Sequence, residues 1–133
     1  MITQILIVDD NAVVRKTLRN VLELTESVQV VGEAIDGWDA IRQAEALKPE
    51  IVLMDLEMPG LDGFEATRKI KELHLARAVI ILTMYASKDN QEQSLEAGAD
   101  AFIVKGTDLH TLLDLFKKLS FLPVDELNKP GNT

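Results

Sequence analysis

The stretch Ile5-Leu6-Ile7-Val8-Asp9-Asp10-Asn11 decides the fold. Four large apolar residues run without interruption and stop at two acids. The run is too short for a helix. Unbroken rather than alternating hydrophobicity belongs to a strand covered on both faces, as in a parallel sheet. Three further runs have the same form: Ile51-Val52-Leu53-Met54, Ala78-Val79-Ile80-Ile81-Leu82 and Ala101-Phe102-Ile103-Val104. Val28 to Ala34, interrupted by Gln29 and Glu33, suits an edge strand.

Helical spacing fills the gaps. Val14, Leu18, Val21 and Leu22 recur every three or four residues, as do Ile41, Ala44 and Leu47, and Phe64, Thr67, Ile70 and Leu73. Leu109, Leu112, Leu113, Phe116 and Leu119 form the strongest stripe. Lys88 to Ala97 offers only Leu95 as a large apolar residue, so a helix there is loosely held. Strand and helix alternate five times. Parallel strands joined by right-handed helical crossovers give an α/β three-layer sandwich.

Length and composition bound the rest. With 133 residues the chain is one domain with at most a short tail. The absence of cysteine removes disulfides and thiolate chemistry. A net charge of −8 has the wrong sign for gripping nucleic acid or an anionic membrane surface. No apolar run approaches the ~20 residues of a membrane helix. A cytoplasmic, soluble protein is expected. The pattern stops after Leu119. Residues 120–133, with Pro123, Pro130 and Gly131, read as a tail or the start of a linker behind a domain at 1–119.

Polar residues follow the strands in a consistent way: Asp9 and Asp10, then Asp55, Thr83 and Lys105. Any one is an ordinary strand exit, and the first acids also suit a helix N-cap. Together they matter, because open parallel sheets bind ligands beyond the carboxyl ends of their strands. Three carboxylates and one ammonium leave −2, the charge that one divalent cation cancels. Carboxylate oxygens suit Mg²⁺. His74 and His110 offer no zinc spacing. A carboxylate beside Mg²⁺, a hydroxyl and an ammonium can act as a nucleophile and accept a phosphoryl group.

These residues resemble the receiver domain of two-component response regulators. The resemblance rests on ILIVDDN, on Asp55 in IVLMDLEMPGLDG, on Thr83 in ILTM, and on Lys105 in EAGADAFIVK, and it spans residues 3 to about 119. It implies a flavodoxin-like fold with five strands in the order 2-1-3-4-5 and five helices. It implies that Asp55 is the phosphoacceptor and that Asp10 binds Mg²⁺ directly, with Asp9 acting through water and Glu57 through its backbone carbonyl. Thr83 and Lys105 would bind the phosphoryl oxygens, and Phe102 holds the place of the family's switch aromatic. The donor would be a sensor histidine kinase or a histidine phosphotransfer protein. The output would be a changed face formed by the fourth helix, fifth strand and fifth helix. Homodimerisation on phosphorylation is among the family's outcomes.

Gly106 stands where many relatives carry a proline in a cis bond, so a trans bond is expected. Glycine there resembles receivers joined to LuxR-type helix-turn-helix domains, although no such domain is expected within these 133 residues. Met84 replaces a small residue and is expected to narrow the mouth of the site. Glu57 and Tyr85 flank the path of an attacking water. Met58-Pro59-Gly60 reads as a turn after Asp55, where proline fixes φ and Gly60 and Gly63 tolerate positive φ. Trp38 is expected to serve packing.

Three other readings compete. A haloacid-dehalogenase-type phosphatase uses similar residues, but with its nucleophile on the first strand. A nucleotide- or flavin-binding domain needs a glycine-rich phosphate loop, and neither G-x-x-x-x-G-K-[ST] nor G-x-G-x-x-G occurs. A degenerate scaffold receiver would not need the complete set of site residues.

Overall fold

The computed structural model describes residues 2–121. The elements alternate as expected: β1 (Thr3–Val8), α1 (Ala12–Leu22), β2 (Val28–Ala34), α2 (Gly37–Leu47), β3 (Ile51–Met54), α3 (Gly63–Glu72), β4 (Ala78–Thr83), α4 (Lys88–Glu96), β5 (Ala101–Val104) and α5 (Leu109–Phe121). All strand pairs are parallel, in the order β2-β1-β3-β4-β5.

The unbroken apolar runs are explained by two cores, one on each side of the sheet. Leu6, Val8, Val52, Met54, Val79 and Ile81 point to the side of α2 and α3. Ile5, Ile7, Leu53 and Ile80 point the other way, against Leu22 and against Leu112, Phe116 and Leu119 of α5. Every residue of β3 and β4 is buried, and each fully buried Val, Leu or Ile contributes about 1.5–3 kcal/mol. β2 lies at the edge, and its ladder with β1 skips Val31, pairing Ile5 with Val30 and Leu6 with Gly32.

Several expectations need correction. The N-cap of α1 is Asn11, whose side chain accepts from the backbone N–H groups of Val13 and Val14; neither Asp9 nor Asp10 is the cap. Trp38 is 58% exposed at the start of α2, because α2 turns its small residues Gly37, Ala40 and Ala44 inward. Gly60 has φ +78, but Gly63 does not have positive φ. Gly63 is required by contact: a Cβ there would lie 2.1 Å from the carbonyl oxygen of Asp55. Helix α5 runs two residues past Leu119, and Ser120 hydrogen-bonds Thr3 and Arg77. The rest of the expected tail lies outside the described residues. No described helix is long and apolar enough to cross a membrane.

Candidate functional site

The strand order sets the site. β1 and β3 are neighbours, and the crossover from β1 runs to β2 on one side while that from β3 runs to β4 on the other, which opens a crevice at their carboxyl ends. Backbone hydrogen bonds carry the ladder just past the strands: Asp9 N–H to Ala34 O (3.1 Å), Asp55 N–H to Val8 O (3.0 Å) and Lys105 N–H to Thr83 O (2.7 Å). They fix the backbones of the two acids and of the lysine at one edge.

Asp9, Asp10 and Asp55 converge there, each offering a carboxylate oxygen within 4.8 Å of the others. Asp9 and Asp55 are buried, and Asp10 faces solvent. The ammonium of Lys105 lies 2.7 Å from Asp9 and 3.4 Å from Asp55. Thr83 is 2% exposed at the end of the neighbouring strand, and its hydroxyl accepts the N–H of Tyr85. Glu57 is exposed two residues after Asp55. Phe102 stands apart on β5, half-buried against the core on the α2 and α3 side. It lines a groove of about 350 Å³ beside α4 with Leu95 and Lys88. Met84 is 62% exposed and lines the groove between α1 and Lys105.

Charge is unevenly held. Burial pushes the Asp55 carboxyl above its ordinary value; the charge of Asp9, and less strongly Asp10, pushes the same way, against the pull of Lys105. Burial opposes the charge on Lys105, yet its hydrogen bond to Asp9 and the charges of Asp55 and Asp9 outweigh this and raise it. The site therefore holds excess negative charge that its own lysine does not neutralise. Donors that are all carboxylate oxygens, two of them buried, fit a hard divalent cation of the Mg²⁺ kind. The described histidines stand elsewhere: His110 lies 3.6 Å from Asp114 on the solvent-facing side of α5, and His74 follows α3.

Two contributors escaped the sequence. The N–H of Asn11 donates to Asp9 Oδ1 at 2.9 Å, and Arg15 donates to the Asp9 carbonyl at 2.7 Å. Asn11 carried a signal, since Asn just ahead of helical periodicity marks an N-cap. Arg15 carried none, because its target is reached only through the fold.

The site is thus an acidic cluster, a hydroxyl and an ammonium at the switch point of a doubly wound α/β sheet. The chain belongs to the response regulator receiver domain family, whose sequence model matches residues 5–117. It is 35% identical over 144 residues to the transcriptional regulatory protein YdfI of Bacillus subtilis (strain 168), covering 97% of this chain and 67% of that protein. It is 37% identical over 120 residues to the response regulator protein VraR of Staphylococcus aureus (strain NCTC 8325 / PS 47), covering 90% and 57%. The chain thus spans roughly half to two thirds of such relatives. Among solved structures, the response regulator domain of Thermotoga maritima CheB superposes with a TM-score of 0.83 at 30% identity, over 92% of this chain and 100% of that one. A LuxR-family response regulator from Aurantimonas sp. SI85-9A1 gives 0.82 at 34% identity, over 90% and 86%.

Proposed function

We propose that this receiver domain, residues 1–119 with a following tail, is a phosphorylation switch in which Asp55 accepts a phosphoryl group from the phosphohistidine of a sensor kinase or phosphotransfer protein in the cytoplasm. The observation that carries the reading is the clustering of Asp9, Asp10 and Asp55 within 4.8 Å, with Lys105 3.4 Å from Asp55.

An oxygen of the Asp55 carboxylate attacks phosphorus in line with the departing imidazole nitrogen. The P–N bond breaks, an O–P bond forms, and the imidazole leaves with its electron pair. Asp10 and Asp55 would hold Mg²⁺ directly, Asp9 through water and Glu57 through its carbonyl; when bound, the cation neutralises charge on the transferring group. Lys105 and the Thr83 hydroxyl supply a charge and a hydrogen bond to the phosphoryl oxygens. Replacing a carboxylate by an acyl phosphate of about −1.5 to −2 charge draws Lys105 away from Asp9. Lys105 directly follows β5, so its shift is felt at Phe102 and the open groove beside α4. The α4, β5 and α5 face then changes its affinity for a partner, an output domain or a second copy of the chain.

Intact-mass measurement after acetyl phosphate and Mg²⁺ tests this. One phosphoryl adduct on the wild type and none on Asp55→Asn is expected. An unmodified wild type overturns the reading, and an adduct on Asp55→Asn overturns the choice of acceptor.

A further inference from the structure

Asp9 is held at every polar atom. Its N–H donates to Ala34 O, its Oδ1 accepts from Asn11 N–H, and its Oδ2 accepts from Lys105. Its carbonyl accepts from Arg15 Nη1 at 2.7 Å. The Arg15 side chain is only 14% exposed, and its Nε donates to Glu33 Oε1 at 3.2 Å. The second oxygen of Glu33 accepts from Arg19 Nε at 2.7 Å. A chain of charge-assisted hydrogen bonds thus runs from α1 to the edge strand β2 and back to the carbonyl between the two acids.

That carbonyl matters because of the peptide that contains it. The oxygen of Asp9 and the nitrogen of Asp10 lie in one rigid plane. Holding the oxygen fixes the rotation of that plane and the direction in which Asp10 leaves it. The Asp10 carboxylate is exposed, so the aim of its backbone brings it within reach of Asp9 and Asp55. We infer that Arg15, held in place by Glu33, is a positioning residue that orients the Asp9–Asp10 peptide and so assembles the cation site.

The inference rests on the proposed Mg²⁺ site, and charge alone predicts the opposite result. Removing a cationic side chain beside a cation site strengthens binding by Coulomb's law, and Arg→Lys leaves the charge in place. Loss of positioning weakens binding in both cases, because lysine lacks the planar fork that serves a carbonyl and a carboxylate together. Outer-shell partners of metal ligands are worth about 10–100-fold in affinity.

Calorimetric titration of the full chain with Mg²⁺ decides it, for the wild type, Arg15→Lys, Arg15→Ala, Glu33→Gln and Asp10→Asn, each well below its own melting temperature. Arg15→Lys and Arg15→Ala are expected to bind about 10-fold more weakly, with Glu33→Gln between them and the wild type. A merely structural role lowers the melting temperature and leaves the affinity of the folded protein unchanged, which overturns the inference. Tighter binding by Arg15→Ala, or wild-type binding by Arg15→Lys, also overturns it while Asp10→Asn still loses affinity. If the wild type binds no Mg²⁺, or Asp10→Asn binds equally well, the metal-site reading falls and takes the inference with it.

Discussion

Lys105 lies closer to Asp9 than to Asp55, at 2.7 Å against 3.4 Å, so its ammonium ties the end of β5 to the end of β1 across the two intervening strands. Both acids have side chains less than a tenth exposed. Removing one partner of such a group strands buried charge, at a cost of about 3–5 kcal/mol where burial is complete. Lys105 is 18% exposed, so the low end applies. Lys105→Met is expected to lose about 3 kcal/mol in urea unfolding at neutral pH with chelator present. The loss should shrink in Mg²⁺, which replaces the missing charge, and in acid, which neutralises the carboxylates. A wild-type unfolding midpoint in chelator shows that the clamp contributes nothing.

Asp55 makes the metal-free domain sensitive to pH with a definite sign. Its folded pKa lies above the unfolded value, because of burial first and the neighbouring acids next. The folded state therefore binds the proton more tightly. The stability Asp55 contributes is fully present below its unfolded pKa and is lost as pH rises through the folded one. Asp55→Asn cannot ionise, so with chelator present it should melt at a higher temperature than the wild type at neutral pH. The gap should close in acid, once the wild-type carboxyl has taken up its proton. A variant that melts lower than the wild type throughout contradicts this.

Gly60 and Gly63 serve the acceptor loop for different reasons and should respond differently to alanine. Gly60 has φ +78 and open space where a Cβ would go. Gly60→Ala should cost about 1–2 kcal/mol, the steric penalty of a left-handed L-residue. A Cβ on Gly63 would meet the Asp55 carbonyl at 2.1 Å and Leu56 Cα at 2.8 Å, both backbone. Nothing flexible can give way there. Gly63→Ala should lose more than twice as much stability and should also slow phosphorylation by displacing Asp55. Chemical denaturation and acetyl phosphate kinetics on the two variants check this, and equal costs would refute it.

That pair shows what the chain makes legible and what it hides. Continuous apolar runs revealed β1, β3 and β4, because burial on both faces leaves no place for polar residues; Ala101–Val104 reads the same way, yet β5 is an edge strand whose residues are half-buried or exposed. The acids, hydroxyl and amine at their ends were legible because strand ends meet at one edge. Gly63 was misread because close approach of two backbones leaves no pattern along the chain, whereas a turn at Pro59-Gly60 does. Trp38 was misread because a large apolar residue is taken as core, while α2 packs through glycine and alanine. Arg15 escaped because its hydrogen bond to the Asp9 carbonyl depends on where α1 docks.

The thin apolar content of Lys88 to Ala97 did forecast how little of α4 is buried. Within α4 only Ser94 is buried, its hydroxyl donating to the Asn90 carbonyl, while Leu95 is 75% exposed. Helix α3 instead buries Ala66, Thr67 and Ile70. Leu95→Ala should therefore stay within about 0.5 kcal/mol of the wild type, as surface changes do. Ile70→Ala should cost about 2–5 kcal/mol. Amides of α4 should exchange with solvent faster than those of α3, through local opening rather than global unfolding. The shift of α4 proposed for the departure of Lys105 from Asp9 requires that little apolar area hold the helix. Equal protection of α3 and α4 in native-state hydrogen exchange would place the moving part elsewhere in the domain.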